Sequence, residues 1–350
     1  MARIITQKVP IGISACAFDC PVRYNGHAFD ALAIMGRERS DFVFTPVCPE
    51  CMAGLGVPRA PIHLTGTGAE VLAGIATVRD RRNNDVTERV VAGARDAMAA
   101  IERAGVVAFI AKEASPTCGL AKARVGKRRT EQLGAGVFGA MLAESGLFLI
   151  TDEALSNSLM WWDARRRLHA WLWLRGREIS SARDLYDAWH VVKFVIQETA
   201  RPVADALGHS LAVLPKRVPA EELEALRARM LDALRTPSTK QRIRGAMFKT
   251  YVHAKKKGSL DGVDLHDLSI DSPEVRLNVD MLAHELTTLE RVSFENDLLF
   301  GTSPVIRRDG RRVAAHEREL TRADTSSPDA APSDAPSPDA APPDESPHDL

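Results

Sequence analysis

The stretch Val9-Pro-Ile-Gly-Ile-Ser-Ala-Cys16 decides the fold, because an apolar run that ends near a cysteine recurs twice more along the chain. Phe42-Val-Phe-Thr-Pro-Val-Cys48 repeats the pattern, and Cys118 follows the run Val106-Val-Ala-Phe-Ile-Ala111. Such runs, bounded by turn residues, are typical of strands buried on both faces. Parallel strands end along one edge of a sheet, and ligands bind outside their carboxyl ends. The sequence therefore predicts three thiols at one sheet edge.

Helical patterns separate these strands. The predicted strands are 9–15, 42–47, 106–112 and 147–150, and the predicted helices between them are Thr87–Ile101, capped by Asp85 or Thr87, and Ala135–Ser145. Strand–helix–strand order implies right-handed crossovers and a three-layer, Rossmann-like α/β domain with a parallel sheet. From Ala182 to Gly301 apolar residues recur only at helical spacing, which predicts an all-α domain after it.

The length of 350 residues exceeds one typical core, so two domains are expected. We predict the α/β domain at 1–153, a Trp/Arg-rich connector at 154–182, the helical domain at 183–305 and an acidic Pro/Ala/Ser tail at 324–350. The tail cannot bury enough apolar area to offset chain entropy, and we predict that it is disordered. The connector holds four of the five tryptophans, which are expected to pack at a domain junction or, alternatively, to stack with nucleobases.

The charge of the chain is unevenly distributed. The formal net charge is zero, but seven acidic residues and no Lys or Arg lie from Asp324 onward, which leaves about seven positive charges on residues 1–323. The stretch 235–257 is the most basic, and no acidic residue occurs from Thr236 to Leu260. It is a candidate phosphate-binding face for RNA or DNA, or else a solvated helix surface.

The compartment can also be inferred from the sequence. No apolar stretch approaches the roughly 18 residues of a membrane span. The N-terminus lacks the apolar core of a signal peptide. We expect a cytoplasmic protein without a membrane partner, where five cysteines are metal ligands or buried thiols rather than disulfides.

The spacing of the cysteines leaves three interpretations open. Cys16, Cys20, Cys48 and Cys51 together are a candidate four-thiolate zinc site, since Cys-Pro-Glu-Cys is similar to a zinc knuckle. Cys16, Cys48 and Cys118, one from each strand end, are instead a candidate set for a [4Fe–4S] cluster in which one iron lacks a protein ligand. In the third interpretation, all five cysteines are buried or incidental thiols with no shared ligand.

Polar residues beside these thiols are candidates for catalysis. Glu50 follows Cys48 by two positions and is placed to relay protons near an open metal site, or it is an ordinary loop carboxylate. Ser115 precedes Cys118 by three and either hydrogen-bonds a substrate or forms the turn before Pro116. Arg23 and Tyr24 orient a ligand or simply pack.

Six short motifs make the sequence similar to a known family. They are Ile13-Ser-Ala-Cys16, Pro21-Val-Arg-Tyr-Asn-Gly26, Pro46-Val-Cys-Pro-Glu50, Gly56-Val-Pro-Arg-Ala-Pro61, Asp85-Val-Thr87 and Lys112-Glu-Ala-Ser-Pro-Thr-Cys-Gly119. Their order over roughly residues 9–153 resembles the bacterial thiouracil desulfurase family. The resemblance implies an α/β domain that binds a [4Fe–4S] cluster through Cys16, Cys48 and Cys118, with Glu50 and Ser115 as catalytic residues. Cys20 and Cys51 fall outside that ligand set.

The function expected from the resemblance is desulfuration of a thiolated nucleobase or nucleoside, in which the open iron of the cluster takes the sulfur. The sequence departs from the family pattern after Cys118, which bears on substrate specificity. Asp187-Ala-Trp-His-Val-Val-Lys193 and the segment 237–251 are similar to a helical bacterial domain of unknown function. The alternative is a nucleic-acid-binding protein with a structural metal site, in which the basic helical region carries the function.

Overall fold

The computed structural model describes residues 3–126, 132–215, 217–258, 279–295, 301 and 303–308. Met1–Arg307 form one compact unit. The domain boundaries at residues 153 and 183 remain predictions. The acidic tail at 324–350 lies outside the described residues. Residues 127–131, within the segment after Cys118 where the sequence departs from the family pattern, lie outside them too.

Ten strands and ten helices are described. The strands are β1 (Ile4–Ile5), β2 (Val9–Ser14), β3 (Phe42–Val47), β4 (Ile62–Leu64), β5 (Val78–Asp80), β6 (Ala108–Ala111), β7 (Ala123–Val125), β8 (Gln132–Gly134), β9 (Phe148–Thr151) and β10 (Ile306–Arg307). The helices are α1 (Pro49–Met52), α2 (Gly68–Leu72), α3 (Thr87–Arg103), α4 (Val137–Glu144), α5 (Ser158–Arg175), α6 (Ala182–Thr199), α7 (Arg201–Ala212), α8 (Ala220–Leu234), α9 (Lys240–Lys256) and α10 (Val279–Glu295).

The predicted parallel sheet is confirmed, with the strand order β3–β2–β6–β9. Its registers pair Ile11 with Phe44 and with Ala108, and Ala108 with Phe148, and every pair of neighbours is parallel. A second, smaller mixed sheet of order β5–β4–β7–β8 was not predicted, because its strands have only three residues each and carry little periodicity. The α/β fold class is thus confirmed.

The central sheet is buried on both faces, which gives the three predicted layers. Along β6, Ala108 and Ile110 face one hydrophobic core, while Phe109 and Ala111 face the other. This alternation follows from the two-residue period of a strand. The second core contains α3, α4 and the small sheet. The first core continues without a break into α5, α6, α7 and α8.

The predicted connector is largely the helix α5, whose tryptophans pack as expected. Trp161, Trp162 and Trp171 are buried. The Trp171 ring meets the edge of Phe148 on β9 at a centroid distance of 5.7 Å, and Trp161 meets Phe42 on β3 at 5.6 Å. The helix therefore covers one face of the sheet and joins it to the helices that follow.

Three arginines of α5, Arg165, Arg166 and Arg167, are buried as well, which the sequence did not indicate. Arg166 is fully buried and is shared by Asp163 at 2.7 Å and Glu198 of α6 at 2.7 Å. Arg165 pairs with Glu290 of α10 and with Glu38, which lies in the segment before β3. Buried charges are tolerated only when paired and hydrogen-bonded. These pairs join α5 to elements on either side of it.

The prediction for the start of α3 is corrected in its detail. Neither Asp85 nor Thr87 is the N-cap residue, which is Val86 and makes no side-chain cap bond. Asp85 instead accepts hydrogen bonds from the backbone N–H and the hydroxyl of Thr87, at 2.9 and 2.6 Å. Among the described residues, we find no helix whose length and apolar character would let it cross a membrane.

Candidate functional site

The three predicted ligand cysteines lie at the carboxyl ends of three neighbouring strands. Cys16 occupies a short 3₁₀ turn directly after β2, and Cys48 precedes the first residue of α1 directly after β3. Cys118 follows β6 by seven residues. Because β3, β2 and β6 are adjacent and parallel, their ends bring these residues to one edge of the sheet.

A cavity of about 290 Å³ opens at this edge. It is lined by every site residue predicted from the sequence, namely Cys16, Arg23, Tyr24, Cys48, Glu50, Ser115 and Cys118. Arg59, Lys112 and Glu113 also line it. The cavity therefore combines three thiols with carboxylates, cationic side chains and a hydroxyl.

Cys20 and Cys51 do not line the cavity. The thiol of Cys51 lies 3.9 Å from the Val22 carbonyl oxygen, and the Cys48 thiol lies 4.0 Å from the same atom. The described residues contain no group of three or more His, Cys, Asp or Glu side chains placed to hold a single metal ion. Neither the four cysteines of the zinc interpretation nor Cys16, Cys48 and Cys118 form such a group. A [4Fe–4S] cluster does not require one, because each cysteine binds a different iron.

The loop that carries Cys118 is held by the first turn of α4. Backbone N–H groups of Phe138 and Gly139 donate to the Thr117 carbonyl at 2.9 and 3.0 Å, and Val137 donates to that of Pro116 at 3.2 Å. The first N–H groups of a helix have no partner within the helix and need one outside it. Here the loop carbonyls supply that partner, so that α4 fixes the loop.

The surroundings of the three thiols disfavour their ionisation. Burial raises the pKa of Cys16, raises that of Cys48 to about 12, and raises that of Cys118 well above the ordinary value. A soft metal centre would replace the protons on these thiols, because thiolates are its ligands. The donor set thus fits an iron–sulfur group held by three cysteines.

Glu50 is held at both of its carboxylate oxygens. Arg59 donates to Oε2 from Nε at 2.7 Å and lies 2.6 Å from it through its second terminal nitrogen. Thr117 donates from its hydroxyl to Oε1 at 2.9 Å. Burial alone would lower the pKa of the Arg59 guanidinium, but the Glu50 carboxylate outweighs it and the pKa is raised.

Ser115 forms the turn before Cys118 and also faces the cavity. Its hydroxyl oxygen accepts from the backbone N–H groups of Thr117 and Cys118, at 3.2 and 3.1 Å. Ser115 therefore does form the turn around Pro116, which was one of the two roles predicted for it. Because a hydroxyl accepting two bonds still has its own proton, Ser115 keeps a donor for a ligand.

Arg23 and Tyr24 stand at the mouth of the cavity. Tyr24 is 44% exposed, and the Arg23 guanidinium lies 6.0 Å from the centre of its ring. The Tyr24 carbonyl accepts from the backbone N–H of Arg59 at 2.9 Å, which ties this loop to the Arg59 segment. Both residues line the cavity and neither is buried, and their role in orienting a ligand stays a prediction.

Two residues beside Glu50 were missed from the sequence. Arg59 and Thr117 lie inside motifs that were recognised, but nothing in their spacing relates them to Glu50. Arg59 is nine positions from Glu50, and Thr117 is sixty-seven positions away. The sequence offered one signal for Arg59, which is that it is the only charged residue in the apolar, proline-rich motif 56–61.

The comparisons with known proteins concern the α/β part of the chain. The model of the 2-thiouracil desulfurase family matches residues 11–154. The uncharacterized protein YbbK of Bacillus subtilis (strain 168) is 31% identical over 151 residues, which are 42% of this chain and 98% of that protein. A solved structure of the [4Fe-4S]-dependent thiouracil desulfidase TudS is 30% identical, over 42% of this chain and 93% of that one, with a TM-score of 0.34. Through its α/β part, the chain belongs to the 2-thiouracil desulfurase family.

Proposed function

We propose that the chain removes sulfur from a thiolated nucleobase or nucleoside at this cavity. The observation that carries the proposal is that three thiols, one from each of three neighbouring strand ends, share one cavity with Glu50 and Ser115. The family and the desulfidase TudS support the reaction class. The free thiols suit a cytoplasmic enzyme.

The group that fits the donor set is a [4Fe–4S] cluster held by Cys16, Cys48 and Cys118. When bound, it supplies an iron without a protein ligand, a soft Lewis acid suited to a thiocarbonyl sulfur. Soft thiolate donors at all three positions favour this group over a hard, oxygen-preferring cation. Cys20 and Cys51 are not required for it.

The chain's own residues supply the proton chemistry. Replacing C=S by C=O requires one water, whose oxygen goes to the carbon and whose two protons leave with the sulfur as hydrogen sulfide. Glu50 lines the cavity and is held as an acceptor by its two donors, so that it takes a proton from that water. Ser115 donates to a ring heteroatom of the base, and Arg23 and Tyr24 orient the base at the mouth.

Metal analysis of the full chain, purified without oxygen, tests the cofactor. We expect about four irons and four acid-labile sulfides per chain, retained when Cys20 and Cys51 are both changed to Ala and lost in Cys118→Ala. The wild type is then expected to release sulfide from 2-thiouracil. About one zinc per chain that is lost in the double variant would contradict the proposal.

A substitution at Glu50 tests the proton step separately. Glu50→Gln keeps the shape of the side chain but cannot take a proton. We expect it to retain iron and to lose turnover by roughly 10²–10⁴-fold. Full turnover in an iron-loaded Glu50→Gln variant would remove Glu50 from the mechanism.

A second candidate function, nucleic-acid binding, is favoured by the surface of α9. Lys240, Lys249 and Lys256 are exposed on it, and Phe248 between them is 44% exposed. Basic residues with an exposed aromatic ring are typical of single-strand binding faces. Arg235, predicted as part of this face, instead donates to the Gly146 carbonyl and pairs with Asp232.

Salt-dependent binding of RNA and DNA separates the two candidates. Tight binding that weakens steeply with salt, in a protein that does not desulfurate 2-thiouracil, would favour the nucleic-acid function. Turnover of 2-thiouracil without such binding would favour the enzyme alone.

A further inference from the structure

The contacts of Arg59 reach well beyond the ion pair with Glu50. Its third guanidinium nitrogen donates to the carbonyl oxygens of Val22 at 2.9 Å and Gly56 at 3.0 Å, and lies 3.9 Å from the Cys51 thiol. Its side chain is only 5% exposed. Because backbone carbonyls from two loops fix the guanidinium, it forms a rigid base for whatever it binds.

Glu50 alone would not be rigid. It belongs to a helix of four residues, α1, and its side chain has three rotatable bonds. A carboxylate of this kind adopts several rotamers unless its oxygens are held. In the structure Arg59 holds Oε2 and Thr117 holds Oε1. Arg59 lines the cavity, and Thr117 lies between the lining residues Pro116 and Cys118.

From this geometry we infer that Arg59 and Thr117 are positioning residues, which together aim the Glu50 carboxylate into the cavity. The inference rests on the proposed function, because it assigns how the proton-accepting group of that reaction is placed. Thr117 lies next to Cys118, and the Val22 carbonyl held by Arg59 lies 4.0 Å from the Cys48 thiol. Arg59 and Thr117 thus link the Glu50 carboxylate to the surroundings of two of the predicted ligands, Cys48 and Cys118.

Substitutions at Arg59 and Thr117 can change the orientation of the Glu50 carboxylate without changing the charge of the site. Arg59 contributes two nitrogens to one carboxylate oxygen, while a lysine has a single ammonium that cannot bind the carboxylate and both loop carbonyls. Thr117 contributes one hydroxyl, which serine retains and valine lacks at nearly the same volume. These differences provide conservative variants for each residue.

The first experiment compares four iron-loaded full-length variants with the wild type. We expect Arg59→Lys and Thr117→Val to lower kcat for 2-thiouracil by roughly 10–100-fold, with little change in KM and with iron retained. Thr117→Ser is expected to restore the rate. The matched control is Arg89→Lys, because Arg89 also donates to carbonyls after α1, at Ala53 and Gly54, but has no contact with Glu50.

A crystal structure of each variant gives the readout that does not depend on turnover. We expect the Glu50 carboxylate to leave its position in Arg59→Lys and Thr117→Val, while the three ligand cysteines stay in place. Wild-type kcat in both variants, or a carboxylate that has not moved, would overturn the inference. A rate that falls only in proportion to lost iron would overturn it too, since the residues would then support the ligand loops.

Failure of the proposed function can be distinguished from failure of this inference. A wild-type chain that loads iron but releases no sulfide from 2-thiouracil overturns that proposal. The inference is then decided by the variant structures, in which the carboxylate either moves or does not.

Discussion

At the scale of single residues, ion pairs with arginine hold two carboxylates in place. Glu50 at the cavity and Asp163 within α5 are both carboxylates held by arginine. Burial would raise the pKa of Asp163, but Arg166 and Arg167 outweigh it and the pKa is lowered. Asp163 also accepts from the backbone N–H of Ser238 at 3.1 Å, so that one side chain joins α5 to the start of the α9 region.

Asp163→Asn is expected to lower the free energy of unfolding by about 3–5 kcal/mol, because it leaves Arg167 without its buried carboxylate partner. Urea unfolding at pH 7 measures the change. Since the pKa of Asp163 is depressed in the folded state, its contribution is present above the unfolded value of about 3.9 and is lost as the pH falls through the folded value.

The control for Asp163 is Asp205→Asn, because Asp205 also pairs with an arginine but is 57% exposed and its partner Arg201 is 68% exposed. Exposed pairs contribute little to stability. Equal losses of stability in the two variants would show that the burial of the α5 pairs is unimportant.

At the scale of elements, close contacts between backbones place the ligand loops. Helix α4 approaches the Cys118 loop so closely that a Cβ atom on Gly139 would lie 1.9 Å from the Gly119 carbonyl oxygen. In α9, by contrast, a Cβ atom on Gly245 would meet nothing within 4 Å. Glycine is thus required by packing in α4 but not in α9.

Gly139→Ala is expected to lower both the melting temperature and the iron bound per chain after reconstitution, because the Cys118 loop must move away from α4. Gly245→Ala is expected to raise the melting temperature slightly, since alanine favours an exposed helix by about 0.5–1 kcal/mol over glycine. Thermal unfolding and iron analysis of both variants test this. Unchanged iron binding in Gly139→Ala would mean that the loop does not depend on α4.

At the scale of the whole molecule, one hydrophobic core joins the sheet to the helices. It extends from Ile11 of β2 through Trp171 of α5 to Leu234 at the end of α8. The strands β1 and β10 pair in parallel, although they lie at opposite ends of the described chain. Arg307 of β10 also pairs with Asp41, directly before β3. The α/β part and the helices therefore share much of their buried surface.

The described unit is accordingly expected to unfold in a single cooperative transition. Near-ultraviolet circular dichroism reports the buried tryptophans of α5, and far-ultraviolet circular dichroism reports all helices and strands. Both signals should change at the same temperature, as two-state behaviour requires. Two separate transitions would instead support independent domains divided near residue 153.

Much of the site could be predicted from the sequence, because its ligands follow strands. The runs before Cys16, Cys48 and Cys118 are apolar enough to indicate buried parallel strands, and such strands end at one edge. Glu50 and Ser115 were found because they lie within three positions of a ligand. Local spacing made these residues candidates, and the resemblance to the family supplied the catalytic roles predicted for them.

Only the tertiary structure decided which distant residues meet at that edge. It brought Arg59 and Thr117 to the two oxygens of Glu50, and it left Cys20 and Cys51 outside the cavity. It also buried Arg165 and Arg166 of α5, whose charge predicts exposure, because carboxylates from α10 and α6 neutralise them. The sequence by itself determined the strands and the cysteines that follow them, since hydrophobic periodicity is local. The partners of each charge were decided by packing, since they lie on segments far apart in the chain.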